Sequence, residues 1–402
     1  MPQDEEPVAA PEALSEVRDF SLVLGGPLYQ LLRRARLGEH VDDHLLRRVL
    51  VISGLAWLPL LVLAWIEGTL FGGVAIPFLA DIETQVRFLV AVPLLVLAEL
   101  VVHLRMRGVV TQFLERRLVP PTSIARFHRA LQSAMALRNS TCAEILLLLA
   151  IFPVAIFVRG DVLALEASTW YATVNDGAGH TNLAGTWYWV VSNPVLQFLA
   201  LRWYFRIFVW ARFLWQVSRL ELALVPAHPD RNAGLGFLGA SAFAIAPLLT
   251  AHGAAISGYI ANRILHEGAK LPEFQLEILL LVAGLMLIVL APLCVFAPKI
   301  LAAKRRGLRE YGLLATDYLR DFERRWLRTQ DHDGEPMLGS GDMQSLADLG
   351  NSYSVIRETR ALPFGRDTIL VLVFATVAPI APLLLTMIPF EELLTRLFSA
   401  IF

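Results

Sequence analysis

The sequence contains few charged residues, very little lysine and almost no cysteine. Charged residues make up 18% of the 402 positions, against about 25% in an ordinary soluble domain. The two cysteines, Cys142 and Cys294, stand in hydrophobic stretches, and neither has a second cysteine two residues away. A structural disulfide and a zinc site are therefore not expected. No basic segment leads into a short apolar run at the N-terminus, so we expect no cleavable signal peptide.

Familiar catalytic motifs are also absent. His266-Glu267 lacks the second histidine of a zinc-protease helix, and no phosphate-binding Gly-x-x-x-x-Gly-Lys occurs. Ser241 and His252 lie on one predicted helix about 16 Å apart along its axis, too far for a nucleophile and its base. We therefore name no catalytic residue, no metal ligand and no cofactor.

Hydrophobic residues make up 56% of the chain and fall into seven stretches. A helix of about 20 residues crosses a hydrocarbon layer of roughly 30 Å. Each stretch carries a proline, which removes a backbone donor and bends a helix. We therefore predict an all-α, polytopic transmembrane helical bundle with about seven proline-kinked spans. The predicted spans are residues 47–66, 87–106, 141–158, 187–215, 235–262, 274–297 and 368–389.

The distribution of arginine predicts the orientation of these spans. Arginines crowd the segments between spans two and three and between spans six and seven, whereas the loops 67–86 and 159–186 hold only Arg159. Basic loops stay in the cytoplasm, so we expect the N-terminus inside and the C-terminus outside. Lysine occurs at only three positions, which suggests a high-GC bacterial genome and hence the bacterial inner membrane.

The segments outside the spans complete the predicted domain organisation. Apolar side chains recur every three or four residues from Leu308 to Trp326, which marks one face of a helix. A second helix over about 342–361 makes this a hairpin. In order, the predicted units are a disordered N-terminus over 1–18, cytoplasmic interfacial helices over 19–46, six transmembrane spans with their loops over 47–297, a small cytoplasmic helical hairpin over 298–367, and the seventh span with an amphipathic tail over 368–402.

Five ionisable residues fall inside the hydrophobic stretches at similar depth: Glu99, His103, Glu144, Arg202 and Arg206. An acid or an arginine at mid-span costs about 2.5–3.5 kcal/mol on insertion scales, so we expect most of them to turn inward. We predict that Glu99 and Glu144 neutralise the two arginines and that His103 completes a polar vestibule open to the cytoplasm. In the alternative, the arginines reach lipid phosphates or the pairs only lock helices together.

The loop between spans four and five concentrates polar groups at His228, Asp230, Arg231 and Asn232. It enters a glycine-rich helix start, where free backbone donors suit an anion. His228 and Asp230 suit a metal pair or an acid–base pair. The alternative is that Asp230 or Asn232 caps the next helix and Pro229 sets the turn.

The second helix of the predicted hairpin is similarly polar. Its candidate functional residues are Asp342, Asp348 and Arg357. If this helix docks beneath the bundle, one of the two carboxylates is expected to meet Arg231 or Arg138. That contact would link the hairpin to the loop.

Three segments resemble parts of a family of uncharacterised bacterial multi-pass membrane proteins. They are Gly25-Gly-Pro-Leu-Tyr-Gln-Leu-Leu-Arg33, His228-Pro-Asp-Arg-Asn-Ala-Gly-Leu-Gly-Phe-Leu238 and Ser345-Leu-Ala-Asp-Leu-Gly-Asn-Ser352. The resemblance covers most of the chain. It implies an inner-membrane protein and no particular activity.

The leading functional expectation is a channel or transporter for an ion or a small polar solute. Proline-interrupted spans, charges in the inner leaflet and a hairpin before the last span suit a gated path. One alternative is a membrane sensor or scaffold whose hairpin binds a cytoplasmic protein, and a second is a membrane-embedded enzyme using His228 and Asp230. The expected partners are the lipid bilayer and further copies of the chain, and no nucleic acid.

Overall fold

The computed structural model describes residues 20–26, 45–162, 169–175, 178–328 and 341–387. Most of these residues are helical. The predicted disordered N-terminus and amphipathic tail lie outside the described residues. In chain order the helices are α1 Leu45–Ile66, α2 Ile82–Glu115, α3 Pro121–Arg138, α4 Thr141–Val162, α5 Asn193–Ser218, α6 Gly236–Glu267, α7 Leu271–Cys294, α8 Ala297–Phe322, α9 Gly341–Arg357 and α10 Arg366–Met387.

Two helices contain a wide π-helical turn just before a proline. In α2 the turn is Arg87–Ala91, ahead of Pro93, and a turn at Tyr188–Ser192 leads into α5, ahead of Pro194. Proline lacks the N–H that an α-helical turn requires, and the wider turn lets the helix continue past the missing donor. The prolines thus act on the turn that precedes them.

A small antiparallel sheet interrupts the helices. It pairs β1 Ala172–Asn175 with β2 Ala178–Thr181, and the all-α prediction missed it. Two four-residue strands carry too little alternation of apolar and polar residues to be recognised in a sequence. The chain then enters the short helix Leu183–Trp187, which begins where the side chain of Asn182 accepts the backbone N–H of Gly185 at 2.8 Å.

Five helices in the described part of the chain are long and apolar enough to cross a membrane, namely α1, α2, α6, α7 and α10. The helix α3 and the part of α4 up to Ile151, bent by 45°, make a sixth candidate if they count as one span. Only 22% of the apolar stretch of α1 and 17% of that of α7 is buried, as expected of helices that face lipid. In α6 the share is 67%, because α2 and α10 pack on it.

The seven predicted spans are therefore not all found. The fourth, 187–215, corresponds to α5, which is long enough but is not among the apolar candidates. It carries Arg202, Arg206 and Arg212. Because α2, α3, α4 and α7 all pack against α5, protein atoms rather than lipid surround much of it, and a more polar sequence is tolerated.

Residues 20–26 do not form the interfacial helix predicted for this segment. They are irregular, and Phe20 is buried with its ring stacked on Phe213 at 5.8 Å. Gly26 has φ +90° and donates its N–H to the side-chain oxygen of Asn139 at 3.0 Å. A left-handed backbone is easy for glycine and incompatible with a continuing helix. The rest of the predicted interfacial segment, 27–44, lies outside the described residues.

The helices α8 and α9 pack against each other. Asp342 lies at the start of α9. Its backbone carbonyl oxygen accepts the hydroxyl of Tyr318 at 3.0 Å, and its carboxylate accepts the indole N–H of Trp326 at 2.9 Å. Arg325 pairs with the same carboxylate at 3.2 Å. The apolar stripe predicted for the first of these helices therefore faces α9. The cytoplasmic position of the pair stays a prediction.

Candidate functional site

Three arginine side chains converge on one carboxylate inside the bundle. Arg206 Nη2 lies 2.8 Å and Arg202 Nη1 3.3 Å from Glu99 Oε1, and Arg48 on α1 pairs with Glu99 Oε2. These four residues, which we call the Glu99 cluster, are only 3–6% exposed. Glu99 thus contacts both arginines that the sequence analysis matched with it. The cluster is buried in this structure, and a vestibule that opens to the cytoplasm stays a prediction.

The packing of α2 against α5 brings the cluster together. Arg202 and Arg206 are one helical turn apart, so they lie on the same face of α5. Between them, the indole of Trp203 donates to the carbonyl oxygen of Leu95, one turn before Glu99 on α2, at 2.9 Å. The guanidinium of Arg206 also lies 4.8 Å from the centre of the Trp203 ring. This tryptophan therefore fixes the position of α5 along the axis of α2, and with it the level at which the charges meet.

The Glu99 cluster holds more positive than negative charge. Three arginines and one glutamate give a formal charge of 3 − 1 = +2. Among the described residues no other carboxylate lies within ion-pair distance of these arginines, and Arg48 Nε and Arg206 Nη2 are buried without a well-directed hydrogen bond. An uncompensated charge in a low-dielectric interior is costly. The chemistry that would complete the cluster is an anion.

The sequence analysis placed two further residues beside this cluster and omitted a third. His103 Nδ1 lies 2.9 Å from the hydroxyl of Ser21. The carboxylate of Glu144 lies beside Gly26, where an added Cβ would stand 2.6 Å from Oε1. Arg48 was not predicted, because an arginine at the start of a hydrophobic stretch is ordinary on the cytoplasmic side. Arg48 lies three residues after the start of α1 at Leu45, whereas Glu99 lies 16 residues before the end of α2 at Glu115, so a count along the chain does not group the two.

A second polar network surrounds the two π turns at the other end of α2. Arg87 pairs with Glu83 and donates to the hydroxyl of Tyr188 at 3.0 Å. Nearby, the buried carboxylate of Asp81 accepts the indole N–H of Trp170 at 2.7 Å. At 1.5 Å per residue this network lies about 18 Å from the Glu99 cluster along α2. The sequence analysis missed it because α2 begins five residues earlier than the predicted span.

Asp230 organises the loop between α5 and α6. Its carboxylate accepts the backbone N–H groups of Asn232 at 2.8 Å, Gly234 at 3.1 Å and Gly236 at 2.8 Å. These are the free donors that the sequence offered for an anion, and the chain occupies them with its own carboxylate. Burial raises the pKa of Asp230, but the three backbone N–H groups and His228 outweigh burial and leave the pKa below its ordinary value.

His228 has two contacts that exclude each other. Its Nδ1 lies 3.0 Å from Asp230 Oδ1, which requires a hydrogen on Nδ1, and 3.2 Å from the backbone N of Asp230, which requires a free lone pair. No group of three or more His, Cys, Asp or Glu placed to hold a metal occurs in the described ranges. The geometry therefore agrees with a cap and turn at Asp230.

The same loop is joined to the chain that follows α9. Arg231 pairs with Glu358 at 3.1 Å, and its carbonyl oxygen accepts the N–H of Arg360 at 2.8 Å. The side chain of Asn232 donates to the carbonyl oxygen of Leu362 at 2.7 Å. Asn232 thus holds two segments of the chain together and does not cap α6.

The predicted partners of this link are wrong. Asp342 pairs with Arg325, and Asp348 accepts the side chain of Gln344 at 3.0 Å, so neither carboxylate is the partner of Arg231. Arg138 donates instead to the carbonyl oxygen of Ser21. Arg357, the remaining candidate on α9, is exposed. The loop and the region after α9 are linked, but through residues beyond the end of that helix.

Two neighbouring residues of α6 have packing roles. His252 uses both ring nitrogens, with Nε2 2.7 Å from the hydroxyl of Tyr204 and Nδ1 2.8 Å from the carbonyl oxygen of Leu248. A Cβ added to Gly253 would overlap the carbonyl oxygen of Thr376 on α10. Glycine at this crossing lets the two backbones approach closely.

Comparison of the chain with protein-family models, with curated proteins and with solved structures gives no match. The resemblance of its three segments to a family of multi-pass membrane proteins therefore stays a prediction. Any functional conclusion has to come from the geometry of the site.

Proposed function

We propose that this chain is an integral membrane protein that carries a small anion across the bilayer, as a channel or a transporter. The Glu99 cluster is the observation that supports this function. Three guanidiniums meet one carboxylate on helices long enough to cross a membrane, and the excess of positive charge is buried. A charge in such a place is a mark of an ion or substrate pathway, and a ring of arginines favours anions over cations.

The proposed route follows the seam between α1, α2 and α5, from the Glu99 cluster to the network around Arg87 and Tyr188. α2 contacts both α1 and α5, and α1 contacts the π turn at Tyr188–Ser192 that leads into α5. Part of the seam is polar: the hydroxyl of Ser53 is buried with no partner among the described residues, and Ser192 donates to the carbonyl oxygen of Ala56 at 2.6 Å. The O–H of Ser192 is thus already engaged, and the hydroxyl of Ser53 offers an anion a donor to replace part of its hydration shell.

The proposal includes a topology. If α5 and the bent α3–α4 pair are spans, the chain crosses the bilayer seven times, with the N-terminus in the cytoplasm and the C-terminus outside. The arginine-rich segments that support this orientation leave the Glu99 cluster near the cytoplasmic face of a bacterial inner membrane. A C-terminal reporter enzyme that is active only outside the cytoplasm should be active, and a reporter inserted between Arg116 and Pro121 should not.

The α8–α9 pair suits a gate for this route. Lys304 donates to the carbonyl oxygen of Thr359 at 2.9 Å, and Arg306 donates to that of Leu224 at 2.9 Å. Through these bonds α8 holds both the end of α9 and the loop that follows α5. A shift of the pair would therefore be transmitted to α5, which carries Arg202 and Arg206.

Flux into proteoliposomes tests the proposal. Purified chain is reconstituted, and efflux of chloride, nitrate, formate and phosphate is compared with that of potassium. We expect flux of at least one anion, no flux of potassium, and a large loss in Arg206→Gln. Arg263→Gln is the matched control, because Arg263 is partly exposed and its partners among the described residues, Tyr259 at 2.9 Å and Glu267 at 2.8 Å, are neighbours on its own helix.

Two results would overturn the proposal. One is a folded protein that passes none of these anions. The other is anion flux that Arg206→Gln leaves unchanged, since the Glu99 cluster would then take no part in permeation.

A membrane scaffold is the second candidate function, and one observation favours it. Leu313 and Leu314, adjacent on α8, are 64% and 55% exposed, and neighbouring apolar side chains in water offer a surface to a partner. Leu314→Asp should abolish self-association or partner binding through this surface and leave anion flux intact. A membrane-embedded enzyme has less support, because backbone N–H groups occupy both carboxylate oxygens of Asp230.

A further inference from the structure

A face of four arginines lies between α3 and α5, away from the Glu99 cluster. The two helices pack antiparallel, since Arg212 Nη1 donates to the hydroxyl of Ser133 at 2.8 Å while residues earlier in α3 meet residues later in α5. Arg126 and Arg129 are three residues apart on α3, and Arg212 and Arg219 are seven residues apart on α5, so each pair lies on one side of its helix. We call Arg126, Arg129, Arg212 and Arg219 the arginine face.

The arginine face is not paired with acids in the part of the chain that the structure describes. Among the described residues no carboxylate lies within 4.0 Å of its guanidiniums. Arg126 has only the hydroxyl of Ser123 at 3.4 Å, and the guanidinium of Arg219 lies over the ring of Trp215 at 5.1 Å. Arg126, Arg129 and Arg219 are exposed, and Arg126 and Arg129 are one helical turn apart, so their like charges repel one another across water. An anion bound among them would relieve this repulsion.

The arginine face borders a pocket of about 330 Å³. Its walls include Arg126, Arg129, Arg219, the ring of Trp215 and the side chain of Gln216. The amide oxygen of Gln216 is buried, and no described residue donates to it. Guanidiniums bind phosphate oxygens, and a hydroxyl on the same molecule would supply the missing donor. The pocket therefore fits a phosphate that carries a hydroxylated substituent.

An apolar groove of about 750 Å³ begins at the same tryptophan. It runs between α5 and α7 from Trp215 to Tyr204, with Ala211, Leu287 and Ala291 among its walls. Eleven residues at 1.5 Å each give a length of about 16 Å, close to half of the roughly 30 Å hydrocarbon thickness. The groove is thus as long as one leaflet is deep, and it ends in a basic pocket.

We propose that α3, α5 and α7 form a binding site for an anionic phospholipid. The phosphate lies against the arginine face, a headgroup hydroxyl donates to Gln216, and one acyl chain lies in the groove between α5 and α7. Charge selects the headgroup, and the groove distinguishes a lipid from a free phosphate. This site is separate from the Glu99 cluster and does not depend on anion transport.

Native mass spectrometry of the delipidated full-length chain in detergent tests the site. The chain is titrated with phosphatidylglycerol and with phosphatidylcholine of the same acyl chains. We expect phosphatidylglycerol to bind more tightly, and the double variant Arg126→Gln/Arg129→Gln to bind it about 30-fold more weakly, from the interaction typical of a basic residue with anionic lipid. The double variant Arg263→Gln/Arg320→Gln removes the same charge elsewhere and should bind normally.

A second variant separates a lipid from a free anion. Ala211→Trp fills the groove and leaves the arginines in place, so it should weaken phosphatidylglycerol binding, and inorganic phosphate should not displace the lipid. If Ala211→Trp lowers the thermal midpoint, Ala291→Phe replaces it from the α7 side. Equal binding of the two lipids, or no change in the arginine variant, would overturn the proposal. Full competition by inorganic phosphate with no effect of groove filling would show a free-anion site and refute the lipid.

Discussion

Replacing Glu99 with glutamine tests the central charge arrangement. Glutamine keeps the size of the side chain and removes its charge, so the formal charge of the cluster rises from +2 to +3. Three guanidiniums that now share one carboxylate would face one another across an amide. Removal of one partner from a buried ion pair destabilises a protein by about 3–5 kcal/mol.

The size of the effect follows from the contacts. At an effective dielectric constant of about 20, two like charges about 5 Å apart repel by about 3 kcal/mol, and Glu99 is the only group that offsets this repulsion among the described residues. We therefore expect Glu99→Gln to lie at the upper end of the 3–5 kcal/mol range. The double variant Glu99→Gln/Arg206→Gln returns the formal charge to +2 and should recover part of the loss.

The assay is the thermal unfolding midpoint of the purified chain in detergent, followed by tryptophan fluorescence. Glu277→Gln is the control, because Glu277 is an exposed acid near the start of α7 and its loss should leave the midpoint unchanged. We expect a coupling between Glu99 and Arg206 of up to about 3 kcal/mol. The reasoning fails if Glu99→Gln unfolds at the same temperature as the parent chain, or if the double variant loses the sum of the two single losses.

Three further predictions concern the loop and the packing. Asp230→Ala should destabilise the loop by about 1–3 kcal/mol, which amide exchange would detect as faster exchange in the loop. The pKa of Asp230 is below its usual value of about 3.9. The carboxylate therefore stabilises the loop fully above about pH 3.9 and progressively less as the pH falls through the lower folded-state pKa. Gly253→Ala should lower the thermal midpoint by forcing α6 from α10, whereas Gly284→Ala, with open space around it, should not. Arg231→Gln should raise proteolysis after α9 only slightly, because its pair with Glu358 is about half exposed.

The sequence was sufficient for the membrane class and for part of the charge cluster. Long apolar runs identify helices without any tertiary information, and the insertion cost of ionised groups already required Glu99 and the α5 arginines to seek partners. A helix is found over most of the stripe from Leu308 to Trp326, and α9 starts within one residue of the predicted position 342, because apolar residues of a helix repeat at the helical period. These inferences depend only on the local pattern of residues and on the cost of placing a charge in lipid.

The remaining features depend on which helices are neighbours, and a single sequence does not contain that information. Arg48 joins the cluster only because α1 packs on α2, and Glu358 meets Arg231 only because the chain after α9 returns to the loop. For the same reason a hydropathy test does not select α5 as a span: the test takes a helix to be surrounded by lipid, whereas other helices surround much of α5. For Asp230 the sequence left two interpretations open, and the positions of three backbone N–H groups favour the cap.

The two π turns set how the ends of α2 and α5 are rotated relative to each other. Each wide turn adds one residue, and one residue corresponds to 100° of rotation in an α-helix of 3.6 residues per turn. Deleting Val190 from the turn at Tyr188–Ser192 would restore regular winding and swing Arg202 and Arg206 by that angle away from Glu99. A single additional residue near one surface of the bundle thus decides which side chains face each other about 20 Å deeper.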